Sequence, residues 1–212
     1  MSAAESAKAE SARDEAAQVM ALGQKKLIKI LKSSKSTEFA RAKACQRLAV
    51  IGTKEAVPAL SALLAHPKLA HYARFGLEPI PDPSVDDALR RALGRLEGGL
   101  LIGVIDSIGQ RRDSKAVEAL AKLVEDADTE VAAAAAAALG RIGTPESAGV
   151  LEKVLTYTKK VAGACLECTE RLLSQNMKEP AVALCGALLQ RSDLPEGLRV
   201  LAARLKESTG SL

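Results

Sequence analysis

A chain of 212 residues with 48% hydrophobic composition has enough apolar material to bury a full core, as one domain or one array. That material is almost wholly Ala, Leu and Val; aromatics make up 2%, which argues against a β-sandwich or barrel and against stacking on single-stranded nucleic acid. A formal charge of +4 and a pI near 8.9 are mild, where a nucleic-acid binder shows a denser basic stripe.

Residues 1–18, MSAAESAKAESARDEAAQ, favour helix but offer no large apolar face after Met1, and predict a disordered or solvated helical arm. From Val19 the pattern changes. Val19, Leu22, Leu27, Ile30 and Leu31 can line one side of a helix flanked by Lys25, Lys26, Lys29 and Lys32, so residues 19–36 are expected to form a basic amphipathic helix capping an array.

Helix pairs follow. Thr37-Glu38 opens a helix that ends at Gly52, with Ala40, Ala44, Leu48 and Ile51 at helical spacing, and residues 54–64 form its partner, with Pro58 near the first turn. The next pair is irregular: a short helix over 68–78, an extended PIPDP connection, then VDDALRRALGRL capped by Ser84 and closed by Gly98-Gly99. LLIGVIDSIG and residues 114–125 make a third pair. A fifth spans 160–174 and 179–190, and residues 194–206 form a last helix before a fraying tail, 207–212.

The fourth pair is the clearest. Residues 131–154, VAAAAAAALGRIGTPESAGVLEKV, hold seven consecutive alanines, the best helix former and one with no bulk to keep helices apart. Gly143 is placed for a left-handed helix end; Thr144 and Pro145 supply the next N-cap and first helical position. Such a hairpin has little large apolar surface of its own and needs similar neighbours on both sides.

Three turns overlay: Leu48-x-x-Ile51-Gly52, Ile105-x-x-Ile108-Gly109 and Leu139-x-x-Ile142-Gly143, each before a second apolar helix. Gly109 to Gly143 is one period of 34 residues, and the 57 between Gly52 and Gly109 hold a shortened repeat. With ACQRLAVIGTKEAVPALSALL and VEALAKLV, this pattern resembles the HEAT-repeat family in its short bacterial form, related to phycobilisome-lyase-type HEAT-like repeats. The resemblance covers roughly residues 37–190 and departs at HYARFGLEPIPDPSVDDALR and in the fifth repeat, which lacks the Ile-Gly turn.

It implies an all-α, right-handed α-solenoid (superhelix) of stacked antiparallel helix pairs, about five repeats, over residues 37–206. It also implies a concave face lined by second helices: residues 55–64, 85–93, 114–124 and 146–154.

Chemistry-bearing motifs are few. Cys165-Leu166-Glu167-Cys168 lies in a helical pattern with no second pair, and Cys45 and Cys185 complete a set of thiols that reads as packing in a reducing compartment. His66 and His71 have no nucleophile signature, and no Gly-rich phosphate loop occurs. The expectation is therefore no catalytic residue, no metal and no cofactor.

Charge, aromatics and irregular backbone coincide from His71 to Arg112, with Tyr72, Phe75, Arg95 and the PIPDP loop among them. The candidate binding residues are Arg90, Arg91, Arg111, Arg112 and Lys115. Residues 113–153 net −4 while the first 36 net +3, an alternation that suits a protein better than a nucleic-acid backbone.

The function expected is a non-enzymatic, cytoplasmic, monomeric interaction module for a protein or peptide, with no membrane span. The rivals are a nucleic-acid binder of the DNA-repair glycosylase type and an assembly domain of a larger enzyme, such as a lyase subunit.

Overall fold

The computed structural model describes residues 3–209, which contain thirteen α-helices and no strand. Contacts divide the chain into two compact units, residues 1–96 and 97–212.

In the first unit, α1 (Ala3–Met20) and α2 (Gln24–Lys32) pack on α3 (Glu38–Ile51). Residues 19–36, expected as one helix, thus hold the end of α1 and all of α2. Gly23, extended at φ −79°, restarts the chain, and Gln24 ties that start to the end of α3 by accepting the Thr53 N–H at 2.6 Å. Near its end helix α1 reaches the core, where Val19 is buried and Glu15 accepts a 3.0 Å bond from the Thr37 hydroxyl. Helix α2 buries Leu27 and Leu31 and turns its lysines outward.

Thr37 caps α3 by accepting the Ala40 N–H at 2.9 Å. A 3-10 turn (Lys54–Ala56) then leads into α4, which is only Val57–Ser61. The expected helix to Leu64 is not completed, because after Ser61 the N–H groups of Leu63, Leu64 and His66 bond three residues back and tighten the chain towards Pro67.

Helix α5 (Ala70–Leu77) lies on α3 and α4, and α6 (Pro83–Leu93) lies on α4. Asp82, rather than Ser84, caps α6. Its carboxylate accepts the Ser84 N–H at 2.9 Å, and Pro83 occupies the first turn, where a missing N–H costs nothing. Leu48, Leu60, Leu77, Ile80 and Leu89 are the fully buried large side chains that join these helices, each contributing about 2 kcal/mol of burial.

The second unit is more regular. Its first helices, α7 (Gly98–Arg111), α9 (Thr129–Ile142) and α11 (Ala162–Ser174), stack in one row and continue into α13 (Glu196–Ser208). The second helices α8 (Val117–Leu123), α10 (Pro145–Leu155) and α12 (Lys178–Gln190) form the other row; α10 packs back on α9 and α12 on α11 as hairpins, while α8 lies on α9. This is α-solenoid construction. Gly98-Gly99 opens α7 instead of closing the helix before it; α6 ends at Gly94.

The alanine run lets these backbones approach closely. A Cβ added at Gly109 would lie 2.9 Å from the Ala138 Cα. Gly109 is therefore a contact residue inside α7, not a turn glycine, so the three overlaid Ile-Gly turns are not structurally equivalent. Gly52 is extended at φ −70°, while Gly143 takes the expected left-handed cap at φ 62°. The left-handed position recurs instead at Arg112 (φ 56°), Gly143 and Asn176 (φ 61°). Asn176 supplies the turn that the fifth repeat lacked in sequence.

Thr144 and Pro145 cap α10 as expected, the Thr144 hydroxyl accepting the Ser147 N–H at 3.2 Å. The far end of α10 is held by Arg191, which donates to the Leu155 and Thr156 carbonyls and grips Asp193 through two 2.9 Å bonds. Tyr157 donates to Glu125 at 3.3 Å, linking the ends of α10 and α8. The last helix buries Ala202 and leaves Val200 and Leu201 half-exposed; of the tail expected to fray, residues 207–208 end α13 and 210–212 lie outside the described residues.

Candidate functional site

Where α4 stops after five residues, a cleft of about 340 Å³ opens between its end and α6 within the first unit. Its floor is small and apolar: Ala62, Ala65, Ala88 and Ala92, with Leu64 and Leu96. Arg91, on α6, and Arg95, just past its end, stand along it, and neither forms an ion pair among the described residues. An apolar bed beside two unspent guanidinium groups can seat an aliphatic side chain and a carboxylate together.

Arg90 belongs elsewhere: its guanidinium pairs with Asp87, three residues earlier on α6. Tyr72 is half-buried and Phe75 half-exposed on α5, so neither is a fully buried core residue.

In the second unit, a polar pocket of about 310 Å³ lies at the C-terminal ends of α7, α9 and α11. Arg112, Arg141, Arg171, Glu167, Glu170 and Gln110 line it. Arg141 is fixed by a 3.0 Å ion pair to Asp106 across the α7–α9 contact, and it packs against Gly109, whose absent Cβ makes room for the guanidinium. Arg171 packs its stem over Gly143, where an added Cβ would meet the Arg171 Cγ at 2.2 Å. Arg111 is half-buried in the last turn of α7, and Lys115 is exposed in the 3-10 turn before α8, outside the pocket lining.

Of the five residues selected from sequence, Arg91 and Arg112 line these two clefts, one in each unit; Arg90, Arg111 and Lys115 line neither of the two. The sequence reasoning missed Arg141 and Arg171. One signal could have found them: an arginine closes each of α7, α9 and α11.

The thiols offer no nucleophile. Cys45, Cys165, Cys168 and Cys185 are all buried and unbridged. Burial pushes Cys45, Cys165 and Cys168 up to about 12, and raises Cys185 as well. His66 is a turn residue whose Nδ1 accepts the Lys68 N–H at 3.2 Å, and the His71 ring meets Tyr72 edge-on. Among the described residues, no three His, Cys, Asp or Glu side chains gather as a metal site, and no helix is long and apolar enough to cross a membrane.

Comparison with known proteins agrees with this architecture. Residues 87–167 match the HEAT repeats family. The chain is similar in structure to a crystallised engineered protein at TM-score 0.51 and 22% identity, covering 89% of this chain and 96% of that one. A second engineered protein matches at TM-score 0.51 and 22% identity, over 88% of this chain and 58% of its own. The complex of CpcE and CpcF of phycocyanin lyase from Nostoc sp. PCC7120 matches at TM-score 0.45 and 19% identity, over 88% and 82%. No curated protein sequence matches the chain.

Proposed function

Residues 87–167 being HEAT repeats, we propose that the chain is a non-catalytic binding module for a protein partner, holding a peptide segment against its second-helix rows. The observation that carries this reading is the α4–α6 cleft: a small-residue apolar floor with Arg91 and Arg95 unpaired beside it. Arginine beside an apolar pocket is a frequent anchor at protein interfaces, and its fork matches a carboxylate. The partner segment therefore carries an aliphatic residue next to an acidic one.

Arg112 contributes a second contact point within its own unit. Arg90, engaged with Asp87, steadies α6 instead of reaching outward. Lys115 stands exposed at the start of the α8 row and is a peripheral contact. The four unbridged, buried thiols suit a reducing compartment, which favours the cytoplasm.

The test is selection of peptides from a displayed random library with the intact chain as bait. Aliphatic–acidic sequences are expected to emerge, and to lose at least about tenfold in affinity against the variant carrying Arg91→Glu and Arg95→Glu. Both side chains lie outside the core, so the variant's melting curve is expected to shift by less than about 0.5 kcal/mol in stability. Selected peptides that bind the variant as well as the native chain would place the site elsewhere. Salt-sensitive binding of duplex DNA near physiological salt, with no peptide selected, would replace this reading with the nucleic-acid one.

A further inference from the structure

The polar pocket of the second unit has a composition that its structural role does not require. Stacking needs Arg141, which is spent on Asp106, and the stem of Arg171, which packs on Gly143. It does not need the charge of Arg112. That residue holds a left-handed backbone at φ 56°, where the same position in the next two hairpins is occupied by Gly143 and Asn176, the residue types that adopt it at least cost. A cationic side chain kept in a conformation that disfavours it, at the mouth of a pocket, points to a use for the cation.

Four charges in the pocket are unspent. Arg112, Arg171, Glu167 and Glu170 form no ion pair among the described residues, although Arg171 and Glu167 are one helical turn apart on α11. Two cations alone would accept any polyanion. With two exposed carboxylates beside them the pocket repels a chain of phosphates, and it complements a ligand that carries both signs.

We propose that this pocket is a subsite for an adjacent acid–base residue pair of a protein partner. Arg112 and Arg171 take the carboxylate; Glu167 and Glu170 take the neighbouring cation. Arg141, held by Asp106, walls the pocket and fixes the position of α9 against α7. The proposal rests on reading the chain as a protein-binding module, but not on the cleft of the first unit.

The test is NMR titration of the full isotope-labelled chain, observing the side-chain N–H signals of Arg112 and Arg171. The probe is the capped dipeptide acetyl-Glu-Lys-amide, with acetyl-Gln-Lys-amide, acetyl-Glu-Gln-amide and inorganic phosphate as comparisons. Both arginine signals are expected to shift saturably with the Glu-Lys probe, and each glutamine probe to bind about tenfold more weakly.

Arg112→Gly removes the cation while suiting the backbone, so it is expected to stay folded and to bind about tenfold more weakly. Arg171→Gln, which keeps the packing stem, is expected to do the same. Arg91→Glu with Arg95→Glu is expected to leave this response unchanged, which separates failure of the first unit's cleft from failure here. No saturable shift, equal shifts with either glutamine probe, or native binding by Arg112→Gly would each overturn the proposal. Displacement of the Glu-Lys probe by an equal concentration of phosphate would overturn it too, by making the pocket a general anion site.

Discussion

In the first unit the second helix of a pair, α4, is five residues long and yields to a tightened turn; in the second unit its counterpart α10 runs for eleven. The two units accordingly make their clefts differently. The first does so by subtraction, a missing turn of helix leaving small side chains uncovered beside α6. The second does so by addition, arginines converging where three helices end. In both, the candidate site lies where the repeat departs from its own pattern: a truncated helix in one unit, an arginine on a left-handed backbone in the other. The regular parts of a solenoid bury its core, and the irregular parts are free to differ.

The sharpest way to break that comparison is at the left-handed caps, where Gly143 is required by its surroundings and Arg112 is not. Gly143→Val would force a branched residue to φ 62° and drive its Cβ to 2.4 Å from the Arg171 Cβ. Backbone strain and overpacking together are expected to cost about 3 kcal/mol, lowering the melting temperature by about 6–12 °C. A change within one degree would show that Arg171 does not pack there.

The buried thiols sharpen the contrast between units, with one raised strongly to about 12 in the first unit, Cys45, and two in the second, Cys165 and Cys168. Below the ordinary thiol value of 9.0 both folded and unfolded chains keep the proton. Above it, unfolded thiols ionise first, so the stability they contribute is lost between about pH 9 and 12, by about 1.4 kcal/mol per pH unit for each thiol. Denaturant melts at pH 8, 9.5 and 10.5 are expected to show a flatter decline for the variant carrying Cys165→Ala and Cys168→Ala. An unchanged slope would mean these thiols reach solvent in the folded chain.

The smallest effect is expected at Arg112→Gly. Relief of the left-handed strain, about 1–2 kcal/mol, is largely offset by the extra freedom glycine gives the unfolded chain, about 0.5–1 kcal/mol. Calorimetry is expected to find the variant as stable as the native chain or up to about 1.5 kcal/mol more so. A clear loss would mean that the Arg112 side chain is a structural member of the pocket.

Much of this architecture is legible in the sequence. Thr144-Pro145 and Gly143 state a helix start and a helix end in local chemistry, and the structure places both there. What was illegible is set by contacts across repeats. Gly109 looks like a turn glycine because it follows Ile108, yet its small size answers to Ala138 and Arg141 on another helix. Arg112 carries no local mark of its left-handed backbone, and the shortening of α4 arises from a run of bonds to the third residue back. Arg91 and Arg112 were selected from a region of mixed charge. Which neighbouring arginines were already spent, such as Arg90 on Asp87, depended on rotamers that no spacing specifies.

The bond between Tyr157 and Glu125 has a practical consequence. The chain has two tyrosines and no tryptophan, and they divide one to each unit: Tyr72 in the first, Tyr157 in the second. No indole is present to drain their emission by energy transfer, and a nearby carboxylate dims a phenol that it hydrogen-bonds. Unfolding that frees Tyr157 from Glu125 would brighten it, so a chain in which Tyr72 is replaced by Phe carries a built-in optical reporter of the second unit alone. The reciprocal replacement reports on the first, and the two signals would show whether the units melt together or in turn.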